Sequence, residues 1–314
     1  MNERLKFLDY FFVLRPTLFF PVWTVFLAGL HANAVFDPKH AMSSLAIVPA
    51  QNQILVALLL SLLMGAIFIF NQIADIETDR QNNKLFFIAN GIIRKPVAAG
   101  EGILLTMVAI AGAFWGSYQL GAIFMVIFLI CGVIYSFKPF SWKDRPILGI
   151  LANFGGGWSV AACGWIAAGT MSWNFAVHAV PYALGLVAVY LLTTLPDIEG
   201  DRAAGKITFG VRFGYRATIF WALMFELATV VLSLGLKDYL LLIPAALAAP
   251  LFIIAFIRQS LASVLRAVKF TVLFASLAVC YQYPIYFVVI VVTFYFSKWY
   301  YRQRFNLEYP KFAA

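Results

Sequence analysis

Long apolar runs, most of them close to twenty residues, alternate with short polar segments along almost the whole chain. A run of that length lets a helix cross the hydrocarbon core of a bilayer, whereas the strands of a membrane barrel would alternate apolar and polar positions. The pattern therefore predicts an all-α integral membrane protein. We predict ten spans, at roughly 10–30, 53–78, 102–118, 120–137, 147–168, 174–196, 217–235, 238–257, 264–283 and 284–301.

The distribution of basic residues predicts the orientation of these spans. The loops after the second, fourth and sixth spans carry eleven Lys and Arg residues, whereas the intervening loops hold only Lys39 and Lys237. Because cytoplasmic loops are enriched in Lys and Arg, we expect these three loops and both termini to be cytoplasmic. Region 264–301 permits either one long tilted helix or two short ones meeting near Pro284, and the basic tail favours two.

Composition agrees with a membrane protein and narrows its partners. Of the 314 residues, 63% are hydrophobic and 12% are charged, about half the charged share of a soluble domain. The net charge of +9 comes from basic residues at span ends, so we expect a lipid bilayer around the protein and no nucleic-acid partner. No linker divides the chain, which predicts a single domain over 1–314, and nothing indicates an obligate protein partner.

Two acidic segments share the pattern D-I-E-x-D-R, about 120 residues apart, and each follows an apolar run. They read N-Q-I-A-D-I-E-T-D-R at 71–80 and D-I-E-G-D-R at 197–202. In a helix a spacing of four advances about 400°, so residues four apart lie on one face while Glu77 and Glu199 point the other way. The residues predicted to share these faces are Asn71, Asp75, Asp79, Asp197 and Asp201.

Two facing rows of carboxylates need cations between them, because like charges at close range disfavour ionisation of both. Mg²⁺ prefers oxygen ligands and commonly shares a few carboxylates with substrate phosphates. The two segments therefore predict a Mg²⁺ and diphosphate site at the membrane surface. The alternative is ordinary charge at a membrane boundary, which the coincidence of two such rows, each followed directly by Arg, disfavours.

The two segments resemble the aspartate-rich motifs of the UbiA superfamily of intramembrane prenyltransferases. The resemblance extends to their placement after the second and sixth spans and to Arg15-Pro16 in the first span. It implies a helical bundle around a central cavity, commonly with nine spans, to which the tenth span predicted here would be an addition. It also implies Mg²⁺-dependent binding of a polyprenyl diphosphate and transfer of its prenyl group to an acceptor. By motif match, the first motif (Asn71, Asp75 and Asp79) and the second (Asp197 and Asp201) would each form one metal-diphosphate arm.

The segment after the fourth span resembles the Tyr-x-x-Lys…Arg element of the same family. A departing diphosphate gains negative charge, so Lys and Arg beside it stabilise the transition state. The basic candidates for this role are Lys138, Lys143 and Arg145 here, together with Arg80, Arg202 and Lys206 beside the acidic motifs. The ring of Tyr135 is a candidate to face an allylic cation. Positive-inside anchoring and interfacial aromatic residues are the alternatives.

Two further polar residues lie inside predicted spans. Glu226 is a functional hypothesis by default as an intramembrane acid, or equally a neutral, hydrogen-bonded one, and the sequence does not say whether it faces a cavity. Asn153 precedes Gly155-Gly156-Gly157, which indicates close helix packing in preference to an acceptor site.

These features favour an enzyme that transfers a polyprenyl group to a lipophilic acceptor through an allylic carbocation. An aromatic acceptor of quinone or pigment-type biosynthesis is favoured, and the hydroxyl of a glycerol-type lipid is the alternative. A cation-coupled transporter would place its acids near the bilayer midplane on broken helices, whereas these lie at span ends. A non-catalytic scaffold would tolerate loss of the carboxylates, all of which are present here.

Overall fold

The computed structural model describes residues 3–37, 49–81 and 87–310, and the regular secondary structure in these ranges is entirely helical. The fold class predicted from the apolar runs is thereby confirmed. The ten longer helices in the described ranges are α1 (Phe19–Phe36), α2 (Gln51–Ala74), α3 (Lys95–Gly116), α4 (Tyr118–Ile127, continued by a π-helical segment, Phe128–Ile134), α5 (Pro146–Ala168), α6 (Trp173–Thr193), α7 (Phe209–Gly235), α8 (Tyr239–Arg258), α9 (Leu261–Gln282) and α10 (Pro284–Phe305).

Each predicted span coincides with one of these helices, but several bounds differ. Helix α3 begins at Lys95, seven residues before the predicted start, because Pro96 lies in its first turn, where a missing N–H breaks no hydrogen bond. Helix α6 ends at Thr193 because Pro196 cannot continue it. Helix α7 begins at Phe209, and Gly214, at φ 82°, interrupts its helical backbone. Two short polar helices, Ile76–Gln81 after α2 and Ile198–Ala203 after α6, carry parts of the acidic motifs.

Fewer helices meet the length and hydropathy expected of a membrane crossing than the ten longer helices of the described ranges. Within the described residues, eight helices are long and apolar enough to cross a membrane, and the apolar stretch Tyr118–Ile134 is shorter. Helix α10 has 22 residues but is not among the eight, and Lys298, Arg302 and Arg304 lie in it. The integral membrane class is supported, whereas the tenth span stays a prediction.

Small residues let α1 and α5 approach closely. A Cβ added at Gly164 would lie 1.9 Å from the carbonyl oxygen of Phe26, and one at Gly29 would lie 2.1 Å from that of Ala161. Helices inside a membrane gain stability mainly from such close packing, since lipid is as apolar as the side chains. This contact fixes α1 against α5 on one side of the bundle.

A buried ionic cluster ties α10 to the N-terminal segment. Arg304 donates from Nε and Nη2 to the two carboxylate oxygens of Asp9 at 3.0 and 2.9 Å, and the Tyr300 hydroxyl also donates to Asp9. The Tyr300 ring stacks on Phe12 with 3.7 Å between centroids. The two ends of the chain therefore pack together beside the bundle.

Candidate active site

The first acidic motif lies at a break between α2 and a short helix, Ile76–Gln81. Asp75 has φ −101° and ψ 10°, which ends α2 at Ala74. The four-residue hydrogen bonding nevertheless continues, because the Asp75 N–H donates to the Asn71 carbonyl at 3.0 Å and the Asp79 N–H to the Asp75 carbonyl at 2.8 Å. The span predicted to run unbroken to residue 78 is therefore interrupted, while the spacing of the motif along the helix axis is kept.

The second acidic motif is built in the same way. A 3₁₀ turn, Leu195–Asp197, follows α6 and leads into a second short helix, Ile198–Ala203, which contacts the helix Ile76–Gln81. Glu77 and Glu199 are exposed to solvent, whereas the four motif aspartates are half-buried. The motif aspartates are therefore more shielded from solvent than the two glutamates, in agreement with the opposite directions that the spacing predicts.

Two lysines from other segments bind the first motif. Lys143 Nζ lies 2.6 Å from Asp75 Oδ2, and Lys206 Nζ lies 3.2 Å from Asp75 Oδ1. Lys206 also lies 3.9 Å from Asp144 Oδ1. Because the side chains of Asp75 and both lysines are at most 17% exposed, these pairs are largely shielded from solvent. One carboxylate thus holds two cationic groups, both predicted from the sequence to bind diphosphate.

Backbone hydrogen bonds bring Lys206 to this position. Its N–H donates to the Asp201 carbonyl at 2.9 Å, and the Ile207 N–H donates to the Asp144 carbonyl at 3.2 Å. The preceding Gly205 has φ 71°, a left-handed conformation that glycine adopts at no steric cost. The turn after the second motif is thereby attached to the loop after α4, and its lysine reaches the first motif.

The ionic contacts shift the pKa values of this cluster. Burial raises the pKa of the Asp75 carboxyl, but Lys143 and Lys206 outweigh burial and hold it below its usual value. Burial lowers the pKa of the Lys206 ammonium, but Asp75 and Asp144 outweigh it and raise that pKa. The pKa of Asp144 is raised by burial above all, with Asp75 adding to the shift and the lysines opposing it. Asp75 and Lys206 therefore favour each other's charged forms.

A cavity of about 670 Å³ opens from this cluster into the bundle. Asn71, Asp75 and Lys143 line its polar end, and mostly apolar side chains of several helices line the rest, with a few polar groups among them. Its size lies in the range of ordinary ligand pockets. A molecule with a charged head and an apolar body would fit this division.

Tyr135 lines the same cavity, next to the polar end. Its hydroxyl lies beside Asn153 of α5 and Tyr190 of α6, and both of these residues also line the cavity. Asn71 Nδ2 donates to the Ser136 hydroxyl at 3.3 Å. The glycines after Asn153 pack closely against Cys131 and Leu186, in agreement with the helix packing predicted for that segment.

Other predicted basic residues point elsewhere. Arg80 donates from Nε to the Ala89 carbonyl at 3.0 Å and pairs with Glu77 at 3.3 Å. Arg145 Nη2 donates to the Pro139 carbonyl at 3.2 Å. Lys138 and Arg202 are exposed, and none of these four lines the cavity. Their roles toward a diphosphate stay predictions.

The structure adds three residues to the site that were not predicted from the sequence to belong to it. Asp144 belongs to the ionic cluster. Its position between Lys143 and Arg145, two predicted diphosphate-binding residues, is the feature of the sequence that could have indicated this. Arg15 lines the cavity, and its backbone is in the left-handed region at φ 56°. Glu226, left undecided from the sequence, lines the cavity as well.

The residue types of the acidic motifs match the ligand preference of a magnesium ion. Within the described residues, however, no three Asp, Glu, His or Cys side chains lie close enough together to hold a metal ion. The available donors are carboxylate oxygens, which Mg²⁺ prefers. Both oxygens of Asp75 already bind cationic groups, so this position selects positive charge. Asn71, Asp75, Asp79, Asp197 and Asp201 stay the residues predicted to hold such an ion.

Comparison with known proteins agrees with this arrangement. Residues 22–270 match the model of the UbiA prenyltransferase family. A curated relative, probable homogentisate phytyltransferase 2 (chloroplastic) of Oryza sativa subsp. japonica, is 29% identical over 170 residues, which cover 50% of this chain and 43% of the relative. The chain thus spans less than half the length of that relative.

Solved structures share the fold at low sequence identity. A UbiA homologue from Archaeoglobus fulgidus bound to GPP and Mg²⁺ has a TM-score of 0.63 and 19% identity, covering 90% of this chain and 100% of its own. A digeranylgeranylglyceryl phosphate synthase structure has a TM-score of 0.64 and 17% identity, and the match covers 88% of this chain and 98% of that one. With the family match extending over most of its length, the chain belongs to the UbiA prenyltransferase family.

Proposed function

We propose that this enzyme transfers a polyprenyl group from a polyprenyl diphosphate to a hydroxyl-bearing aromatic acceptor, with Mg²⁺ at the acidic motifs. The observation that carries the proposal is the pair of lysines on Asp75, which lies at the polar end of a mostly apolar cavity. A carboxylate, two ammonium groups and a long apolar chamber match the head and tail of such a donor.

Lys143 and Lys206 supply charge where the leaving group would lie. Heterolysis of the allylic C–O bond leaves both electrons on the bridging oxygen, so the diphosphate becomes more negative in the transition state. Fixed ammonium groups in a partly desolvated site stabilise that charge more strongly than water does. Asp75 holds both lysines in place until a diphosphate competes for them.

Mg²⁺, when bound, supplies Lewis-acid neutralisation of the diphosphate. The half-buried faces of the two acidic motifs support the placement of its ligands. Asn71 adds an amide oxygen at the same end of the cavity.

The apolar walls of the cavity suit both the prenyl tail and the carbocation. The allylic cation formed at C1 must meet the acceptor before it meets water, and an apolar chamber limits the water present. Tyr135 lines the cavity next to the lysines, where its π face would stabilise positive charge. The acceptor nucleophile then forms the new bond to C1 and releases one proton.

The choice of acceptor class rests on the comparisons with known proteins. The plant relative carries the name of an enzyme that acts on homogentisate, an aromatic acceptor, which favours that class here. The shared fold with a glycerol-lipid synthase keeps a glycerol-type hydroxyl as the alternative. The basic loops support a cytoplasmic position for the acidic motifs.

The test uses purified full-length protein in nanodiscs. Geranyl, farnesyl and geranylgeranyl diphosphates are supplied with Mg²⁺ or with EDTA, and diphosphate release is followed with homogentisate, with a glycerol-type lipid, or with neither. We expect release that requires Mg²⁺ and is lost in Asp75→Ala and Asp197→Ala, while Glu77→Ala and Glu199→Ala retain it because their side chains are exposed. Folded protein that releases no diphosphate from any donor would refute the proposal.

A further inference from the structure

Helix α7 places an acid in the wall of the cavity. Glu226 is 1% exposed and lines the cavity, and its Oε1 has no hydrogen-bond partner among the described residues. A buried carboxyl group is normally hydrogen-bonded, because water is not available to satisfy it. Its missing partner is therefore a feature that a bound molecule would explain.

Glu226 does not belong to the diphosphate site. One turn beyond it, Thr229 donates to the Pro181 carbonyl of α6 at 3.3 Å and also contacts Gly185, so Glu226 lies beside the turn of α6 that begins at Gly185. From Gly185 the helix continues for eight residues to Thr193, on the order of 12 Å, and Asp197 lies beyond its end. Glu226 therefore lies deeper in the bundle than the acidic motifs.

In the described part of the chain, three hydroxyl groups of the cavity wall donate to partners other than Glu226. The Tyr182 hydroxyl donates to Asp238, the Thr229 hydroxyl donates to backbone carbonyls, and the Thr271 hydroxyl donates to the Ala267 carbonyl. The neighbouring side chains of the cavity are aliphatic, among them Leu186 and Val272. A single unsatisfied oxygen acceptor thus lies in an apolar wall.

We propose that Glu226 binds a hydroxyl group of the acceptor substrate and fixes the orientation of the acceptor in the cavity; this rests on the transferase function proposed above. A prenyl tail is a hydrocarbon and has no hydrogen to donate, so the donor cannot satisfy this carboxyl group. A phenol or an alcohol donates its O–H to a carboxyl oxygen in the geometry that Glu226 leaves free. The ligand class is a hydroxyl-bearing lipophilic molecule, whose apolar part contacts the aliphatic wall.

Binding is tested without turnover, by thermal unfolding of purified full-length protein in nanodiscs. The probes are hydroquinone, its dimethyl ether, which has no O–H to donate, and monoolein as a glycerol-type hydroxyl. The variants are Glu226→Leu, Glu226→Gln, which keeps a carbonyl oxygen, and Glu101→Leu as a matched control. Glu101 is also an acid on a long helix with an unpartnered carboxyl oxygen, but it does not line the cavity.

We expect at least one hydroxyl probe to raise the unfolding temperature of the wild type, of Glu226→Gln and of Glu101→Leu. In Glu226→Leu the apparent Kd of that probe should be weakened about tenfold or more, as for one lost hydrogen bond. The dimethyl ether should give no shift. An equal shift in Glu226→Leu and wild type, or no shift by either hydroxyl probe in wild type, would overturn the proposal.

Mg²⁺-dependent diphosphate release, measured in the same preparations without acceptor, separates the two hypotheses. Release that persists in Glu226→Leu while hydroxyl binding weakens supports both. Release by the wild type with unchanged hydroxyl binding in Glu226→Leu removes only the role of Glu226. Absence of release in the wild type from every donor, with or without an acceptor, removes the transferase proposal itself.

Discussion

Lys206, which follows the second acidic motif, lies 3.2 Å from Oδ1 of Asp75 in the first motif. The two residues are 131 positions apart in the chain, and the contact joins the two halves of the bundle at the mouth of the cavity. Because Lys143 holds the other oxygen of Asp75 at 2.6 Å, the site has two cations that a diphosphate can recruit. Four predictions follow from this arrangement and from the packing that supports it.

Removing the charge of Lys206 should weaken catalysis. We expect Lys206→Met to lower kcat/KM for the prenyl diphosphate about 10- to 100-fold, since it deletes a partly desolvated cation beside the leaving group. Lys95→Met removes an exposed charge and serves as the control. Kinetics in nanodiscs measure the effect; if the two variants have equal kcat/KM, Lys206 has no part in the reaction.

The stability contributed by Asp75 should depend on pH. Its pKa in the folded protein lies below the usual value because its lysine contacts outweigh burial. Such a contribution is fully present above the unfolded-state pKa of about 4 and is lost as the pH falls through the folded-state value. Asp75→Asn should therefore lower the unfolding temperature at pH 7, and the difference from wild type should shrink below about pH 4.

Thermal scans between pH 3 and pH 8 measure that difference. Glu77→Gln changes an exposed acid of the same segment and should show no comparable trend. A difference between Asp75→Asn and wild type that is the same at pH 3 and pH 7 would contradict the ionic account.

Close packing of α1 on α5 should make Gly164 intolerant of a side chain. A Cβ there would meet the Phe26 carbonyl at 1.9 Å, and backbone cannot move aside cheaply. We expect Gly164→Ala to destabilise the protein by about 1–3 kcal/mol, as overpacked cores do. Gly100→Ala is the control, because no atom lies within 4 Å of its added Cβ; denaturation in mild detergent compares the two.

The ionic cluster at the chain ends should hold α10 in place. Arg304 and Asp9 are each 2% exposed, so Arg304→Met leaves a buried carboxylate without its charged partner. Such a change costs about 3–5 kcal/mol in other proteins. We expect faster proteolysis within α10, followed by mass spectrometry, while Lys6→Met, which removes an exposed pair with Glu3, should match the wild type.

Much of the fold was predictable because it depends on local pattern. Continuous apolar runs of bilayer length form helices, since a helix satisfies its backbone groups within one segment. The exposure of Glu77 and Glu199, against the half-buried Asp75 and Asp201, agrees with the helical spacing of the motifs. Helix ends were less accurate: Pro96 and Pro196 moved two of them, in directions that proline chemistry explains.

Local pattern in the chain is thus enough to predict a helical membrane protein with two acidic motifs at helix ends, because these properties depend on a few turns of helix. The contact of Lys206 with Asp75, the bond from Arg80 to the Ala89 carbonyl and the position of Glu226 in the cavity wall depend instead on tertiary packing. A side chain's direction relative to a distant segment depends on how whole helices and loops pack. That packing is a sum of contacts among residues far apart in sequence, which no local pattern records.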